Sequence, residues 1–146
     1  SPQVKKQSET NARTFLAYSF GDISTIKQKL DAGDYSVVGC EDRISIERKN
    51  LDDFVNTVIY HQDRFHEELC ALARMDLAAI VVEASMNDIL DHRYKSGVLP
   101  ASVFGSTVAI MVEYRIPIIF CGTRQIARHM TQTILQRYSS KITRQS

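Results

Sequence analysis

Two acidic residues and a lysine lie in or beside two short β-prone runs, at a spacing that could bring them together. Asp34 opens the first run, and Glu47, Arg48 and Lys49 end the second. Side chains alternate along a strand, so Glu47 and Lys49 project to one face while Arg48 projects to the other. Turn-forming residues at 39–42 predict a hairpin, which would bring the Asp34 carboxylate close to Glu47.

Two convergent carboxylates are suited to a hard divalent cation. Asp34, Glu47 and the main-chain carbonyl of Arg48 would form an oxygen site for Mg²⁺ or Mn²⁺. Such a metal activates a bound water and neutralises charge on a phosphodiester, while Lys49 would orient the nucleophile or stabilise the transition state. Asp53, near the start of the following helix, would hold Lys49 or Arg48 in place. These residues predict phosphodiester hydrolysis, although each fragment taken alone is also common as surface decoration.

The rest of the chain supplies the elements that would position these residues. Hydrophobic periodicity predicts four helices, and continuous apolar runs predict two strands beyond the hairpin. The helices are predicted over 22–32, 51–72, 102–114 and from 123 onward, and the strands over 77–83 and 116–122. Runs that are apolar on both faces are typical of central strands covered by helices. The sequence therefore predicts an α/β fold in which helices flank a mixed β-sheet on both faces.

Length and composition indicate one compact domain. The chain has 146 residues, of which 44% are hydrophobic and 24% are charged, enough for a single core. Residues 1–12 are polar and without periodicity, so they are predicted to form a flexible lead to a domain over 13–146. The 18 Lys and Arg against 17 Asp and Glu give a net charge of +1, so the total charge indicates no particular partner.

Several classes of protein are disfavoured by missing features. The three cysteines form no C-x-x-C pair, which argues against a disulfide framework or a thiolate zinc site and favours a reducing, intracellular setting. No apolar run approaches the roughly 20 residues that would cross a bilayer, so no membrane partner is expected. A Gly-x-Ser-x-Gly motif and a Gly-rich phosphate loop are also absent from the sequence, which disfavours those hydrolase and nucleotide-binding classes.

Cations cluster locally despite the neutral total. From Arg115 to the C-terminus every charged residue is Lys or Arg, which would suit DNA phosphates, an acidic partner or an oligomer interface. The segment 92–96 combines cations with an aromatic residue. It would contact phosphate and stack on a base or sugar, or it would be a polar helix end.

The spacing of these residues resembles a known signature. GD at 33–34 and ERKNLDD at 47–53 resemble the GD…ERKxxxD motif of the XPF-type nuclease family, a branch of the restriction-endonuclease-like superfamily. The resemblance extends over about 13–138. It implies a metal-dependent DNA endonuclease that acts on flaps, forks or junctions in DNA repair or recombination.

The resemblance also implies roles and partners. Asp34 and Glu47 would be metal ligands and Lys49 the catalytic lysine. The protein would be a homodimer or heterodimer through its last two helices, located in the cytoplasm or nucleoid, or in a nucleus. On this hypothesis DNA contacts are assigned to Arg13, Arg48, Arg93, Lys95, Arg124 and Arg128.

The match is incomplete near the N-terminus. Family members usually carry an earlier D-x-R-E-Q strand, and over 11–15 only Arg13 agrees, because Asn11 and Thr14 stand where acids are expected. This departure leaves a second hypothesis, a catalytically weakened or inactive nuclease-fold module that binds DNA or a protein partner. An enzyme acting on a small phosphorylated substrate is a third, less favoured hypothesis.

Overall fold

A computed structural model describes residues 4–6, 25–27 and 33–145. Its six strands form one sheet in the order β2-β1-β3-β4-β5-β6. The strands are β1 (Val4–Lys6), β2 (Thr25–Lys27), β3 (Tyr35–Val37), β4 (Ile44–Lys49), β5 (Leu77–Val82) and β6 (Ile118–Phe120). β3 is antiparallel to β1 and to β4, whereas β4, β5 and β6 run parallel. The predicted mixed sheet is confirmed.

Helices cover both faces of the sheet, as predicted. They are α1 (Leu51–Tyr60), α2 (Gln62–Ala73), α3 (Met86–Leu90), α4 (Pro100–Tyr114) and α5 (Arg124–Gln145). One core includes Ile80 and Val82 of β5 and buried residues of α1 to α4. The other core includes Ile46 of β4 and Val81 of β5, which pack with buried residues of α5. None of the helices in the described part of the chain is long and apolar enough to cross a membrane.

The predicted hairpin is present as β3 and β4. The Cys40 N–H donates to the Val37 carbonyl at 2.9 Å, and the Ile44 N–H donates to the Cys40 carbonyl at 3.0 Å, which closes the turn. At the other end of the hairpin the Asp34 N–H donates to the Ile46 carbonyl at 3.0 Å. The hairpin therefore fixes the backbone of Asp34 against the strand that carries Glu47.

Two expectations for the N-terminal region differ from the structure. Within the helix predicted over 22–32, Thr25–Lys27 form β2, and within the predicted flexible lead Val4–Lys6 form β1, which pairs in parallel with β2. The β-branched Thr25 and Ile26 suit a strand. The hydrophobic pattern of this segment does not show that a distant segment pairs with it. The other residues of both ranges lie outside the described part, so the domain boundary at 13 stays a prediction.

The long helix predicted over 51–72 is two helices. The chain breaks at His61 (φ −118°, ψ 40°), between α1 and α2. The buried residues Val58 and Phe65 lie on either side of the break and are seven residues apart. This spacing is also expected within one continuous helix, so the hydrophobic pattern did not indicate the break. The short α3 was missed, and it begins at a capping box between Ser85 and Asp88. The remaining strands and helices lie where they were predicted, within a few residues.

Candidate active site at the end of strand β4

Strand β4 presents its last three residues to opposite faces of the sheet. Lys49 pairs with Val82 and Arg48 pairs with Val81 in the parallel register with β5. Val82 lies in the core beneath α1 to α4, and Val81 lies in the core beneath α5. Glu47 and Lys49 therefore face the α1–α4 layer, and Arg48 faces α5, which agrees with the predicted alternation.

Asp34 is held at the end of β4 by a tight approach of two backbones. Gly33 has φ +77°, and a Cβ on it would overlap the Ser45 hydroxyl, so only glycine fits without a shift. The Asp34 side chain is buried and its Oδ2 accepts a hydrogen bond from the Arg48 N–H at 2.8 Å. Because the N–H and C=O of one strand residue point to the same side, the Arg48 carbonyl also faces Asp34.

Glu47 and Lys49 complete a buried polar cluster with Asp34. Glu47 is 2% exposed and Lys49 is 3% exposed, and the Lys49 Nζ lies 3.5 Å from the Glu47 Oε1. The Asp34 carboxyl, which accepts from the Arg48 N–H, lies close enough for its charge to raise the pKa of Glu47. The three residues that were predicted to converge are therefore brought together at the end of β4.

Burial dominates the electrostatics of the two acids. It raises the pKa of Asp34, and it raises the pKa of Glu47 well above the usual range, with the charges of Asp34 and Glu68 adding to the effect on Glu47. The Lys49 ammonium acts in the opposite direction on both groups and is outweighed. Without a cation, burial therefore disfavours the ionised form of Glu47.

Glu68 of α2 lies near this cluster, and the sequence analysis gave it no role. Its charge acts on both Glu47 and Asp34. One signal was available in the sequence. Glu68 lies on the same side of the helix as the apolar Phe65 and Leu72, where a charged side chain is unusual.

The donors at this site suit Mg²⁺ or Mn²⁺. The buried carboxylates of Asp34 and Glu47 are hard oxygen ligands, and Mg²⁺ commonly binds through one or two carboxylates while water and substrate phosphate fill the other positions. Within residues 33–145 no three His, Cys, Asp or Glu side chains are arranged so that they could hold a metal ion. The side-chain ligands offered here are thus a carboxylate pair.

The Arg48 guanidinium lies in an ion pair on the opposite face, in contrast to its predicted DNA contact. Its Nε and Nη2 donate to the two oxygens of Glu83 at 3.1 and 3.2 Å, and only 8% of the Arg48 side chain and 7% of the Glu83 side chain are exposed. Arg124, at the start of α5, lies 3.9 Å from the same carboxylate and is 43% exposed. Arg48 is therefore a buried structural cation, and Arg124 is the cation at the surface.

Asp53 does not have the contacts that were predicted for it. It is exposed in the first turn of α1, where its N–H donates to the Asn50 side chain at 2.9 Å. Lys49 pairs with Glu47, and Arg48 pairs with Glu83. The support predicted from Asp53 thus comes from other carboxylates.

The segment 92–96 is held against α1. The Lys95 N–H donates to the Asp52 carboxylate at 2.9 Å, which leaves an exposed lysine side chain beside the start of that helix. Arg93 pairs with Asp88 at 2.8 Å and with Asp91 at 3.0 Å. Of the two cations assigned to DNA here, Arg93 is engaged in ion pairs, and Lys95 is exposed and bonded to Asp52 through its backbone N–H.

The aromatic residue of this segment is buried rather than free to stack on a nucleotide. Tyr94 is 5% exposed, its hydroxyl donates to the Val98 carbonyl at 2.6 Å, and its ring stacks on His92 with the centroids 4.3 Å apart. The predicted base or sugar stacking is therefore replaced by an internal stack.

The basic C-terminal residues are spread along one helix. α5 has 22 residues, about 33 Å at 1.5 Å per residue. Arg124 and Arg128 lie in its first two turns, near the end of β5, whereas Arg144 lies near the far end. Arg13, also assigned to DNA, lies outside the described residues.

Known proteins provide an independent comparison. The ERCC4 domain model matches residues 5–133. A protein of Methanocaldococcus jannaschii, named as an ATP-dependent RNA helicase, is 30% identical over 105 residues, which are 72% of this chain and 12% of that protein.

Two solved structures share the fold. XPF from Aeropyrum pernix matches with a TM-score of 0.70 and 21% identity over 94% of this chain and 61% of that one. The same protein in complex with DNA matches with a TM-score of 0.68 and 24% identity over 97% of this chain and 66% of that one. The chain thus spans less than two thirds of each of these relatives. The match over most of the sequence, joined to the fold, shows that the chain belongs to the ERCC4 domain family of XPF-type nucleases.

Proposed function

We propose that this domain is a DNA endonuclease that hydrolyses phosphodiesters with Mg²⁺ or Mn²⁺. One observation carries the proposal: two acids, Asp34 and Glu47, are buried together at the end of β4, and a lysine Nζ lies 3.5 Å from one of them. Burying like-charged acids beside one another is unfavourable unless a cation or a proton joins them. Such an arrangement is typical of functional sites.

Each residue of the site is assigned a separate role in hydrolysis. Asp34, Glu47 and the Arg48 carbonyl would hold the metal, which would supply polarisation of the phosphoryl group and a lowered pKa of a water molecule. Lys49 orients the attacking water and stabilises the negative charge that develops on the phosphate. The ion pair between Arg48 and Glu83 fixes the end of β4, which keeps these groups in register.

DNA contacts are assigned to cations near the candidate active site. Lys95 beside α1 and the first two arginines of α5, Arg124 and Arg128, would bind phosphates. Family membership supports branched DNA as the substrate and repair or recombination, inside the cell, as the setting. A DNA complex of the Aeropyrum pernix protein adds support for a DNA partner.

An apolar stripe on α4 supports dimerisation through the last two helices. Phe104, Val108 and Val112 follow each other at four-residue steps and are 42%, 38% and 72% exposed, and Ile126 of α5 is 51% exposed. A contiguous exposed stripe of this kind is typical of a protein interface. We expect Val112→Asp to reduce the mass measured by light scattering to that of a monomer, with Leu90→Asp on α3 as the control. A chain that is already monomeric would point to a different partner subunit.

The enzymatic test is cleavage of end-labelled flap, fork and linear duplex DNA, with and without Mn²⁺. We expect metal-dependent cleavage that is lost in Glu47→Ala and kept in Glu67→Ala, which removes an exposed acid from α2. Glu47→Ala should remain folded, because it relieves repulsion in a crowded acidic cluster. Binding without cleavage would refute the enzyme and favour the alternative, an inactive nuclease-fold module. Cleavage by Glu47→Ala would refute the assignment of the site.

A further inference from the structure

A groove lies between the second half of α5 and the sheet, near the beginning of β5 and β6. Its volume is about 550 Å³. Leu77, the first residue of β5, lines it, whereas Lys49 of the candidate active site pairs with Val82 at the end of the same strand. The groove is therefore at the opposite end of the sheet from the proposed site of DNA hydrolysis.

The floor of the groove is apolar. Leu77, Ile119, Ile134 and Ile142 line it, and each is only partly buried against the core beneath α5. Part of each side chain therefore stays outside the packed core. Apolar surface that is rimmed by polar residues is typical of a site that binds a partner.

The rim of the groove carries an excess of positive charge. Arg137 and Lys141 line it, are exposed and are four residues apart, so they lie on one side of α5. Neither forms an ion pair in the described part of the chain. Asp76, the one acidic side chain among the described residues that line the groove, accepts from the Arg43 Nε at 3.2 Å and from the Tyr138 hydroxyl at 3.3 Å. The charges of Arg137 and Lys141 are thus left for a partner.

The length of the groove indicates the kind of partner. Thr133 and Gln145 are the first and last residues of α5 that line it. They are twelve residues apart, which is about 18 Å at 1.5 Å per residue. This length equals about three turns of a second helix, so it suits a peptide segment that lays an apolar face into a groove.

We propose that this groove binds an acidic amphipathic segment of a partner protein. The apolar side chains of that segment contact the floor, and its carboxylates lie beside Arg137 and Lys141. Complementary charges around an apolar contact select the partner and fix its orientation. Duplex DNA is a poorer fit, because a phosphate backbone offers no apolar side chains to the floor. The proposal does not depend on the nuclease function.

Three fluorescein-labelled helical peptides test the two parts of the recognition. The acidic probe has leucine at every third or fourth position and glutamate elsewhere. A second probe has lysine in place of glutamate, and a third has alanine in place of leucine. We expect the full chain to bind the acidic probe in fluorescence anisotropy, and to bind each of the other two at least about tenfold more weakly.

Charge reversals on the protein locate the contact. Arg137→Glu and Lys141→Glu, at exposed positions, should each weaken binding of the acidic probe by about 5–30-fold and strengthen binding of the lysine probe. The matched control is Arg64→Glu, which makes the same change of net charge at an exposed position of α2, on the other face of the sheet. It should stay within about twofold of the wild type, because solvent screens a distant charge.

Other results would overturn the proposal. Absence of binding of the acidic probe, or equal binding of all three probes, would show that the groove does not recognise an acidic amphipathic segment. Reversals that weaken duplex DNA binding but leave the acidic probe unaffected would assign Arg137 and Lys141 to DNA. A wild type that binds no probe, with a mass in light scattering that falls in Arg137→Glu, would assign the groove to a second copy of the chain.

Discussion

Replacing Glu83 with alanine should destabilise the domain by about 3–5 kcal/mol, the usual cost of leaving a buried charge without its partner. Glu83 receives two hydrogen bonds from Arg48, at 3.1 and 3.2 Å. The two side chains are 8% and 7% exposed, so little solvent reaches the pair. Arg124, at 3.9 Å and 43% exposed, adds little, since exposed ion pairs contribute at most about 1 kcal/mol.

Urea unfolding of the metal-free protein, followed by circular dichroism, measures this loss of free energy. Thermal unfolding provides a second measurement. For a chain of this size a loss of 1 kcal/mol lowers Tm by about 3 °C, so Tm should fall by roughly 10–15 °C. The matched control is Asp91→Ala, which removes a carboxylate from an exposed pair with Arg93 whose side chains are 56% and 60% exposed, and it should cost less than about 1 kcal/mol.

A double substitution provides a second check. Glu83→Leu combined with Arg48→Met removes both charges, and it should be more stable than Glu83→Ala, because no buried guanidinium then lacks the Glu83 carboxylate. A loss below about 1 kcal/mol for Glu83→Ala, at an unchanged m value, would refute the reasoning. It would mean that Arg48 finds water or another partner at no cost.

Further predictions concern the backbone, the acids and the cations. Gly33→Ala should cost about 2–5 kcal/mol through strain and overlap, and Gly39→Ala, with φ +87° but open space, about 1 kcal/mol in the same unfolding assay. In EDTA the free energy of unfolding should fall as pH rises from 4.5, the usual pKa of glutamate, through the raised pKa of Glu47, because the folded state binds more protons there. Glu47→Gln should flatten this slope. Arg124→Ala should weaken DNA binding in fluorescence anisotropy and reduce its logarithmic salt slope by about 1, an effect that Arg144→Ala should not reproduce.

The sequence pattern was sufficient to predict the structure where contacts between neighbouring residues decide it. The hairpin followed from two β-prone runs and a turn, and strand alternation placed Glu47 and Lys49 on one face and Arg48 on the other. The predicted convergence of Asp34, Glu47 and Lys49 is a direct consequence of this geometry. The alternation of side chains along one strand is enough to predict which of them share a face of the sheet.

Contacts between segments that are distant in the sequence could not be predicted from such patterns. The partner of Arg48 is Glu83, 35 residues further on, and nothing near Arg48 indicates it. Glu68 received no predicted role, because its neighbours predict an ordinary amphipathic helix and only the packing of α2 on the sheet brings its charge near Glu47. The strand at Thr25–Lys27 was mistaken for a helix for the same reason, since its pairing with β1 decides its structure.

The opposite orientation of neighbouring residues in β4 limits which insertions the hairpin can accept. One extra residue between Val37 and Ile44 that shifted β4 by one position would exchange the faces of Glu47 and Arg48. The guanidinium would then be driven among the acids, and the glutamate would be driven into the apolar layer beneath α5. Two extra residues would restore the faces. The turn is thus expected to tolerate length changes by pairs of residues far better than single ones, a parity rule that a library of loop insertions would reveal.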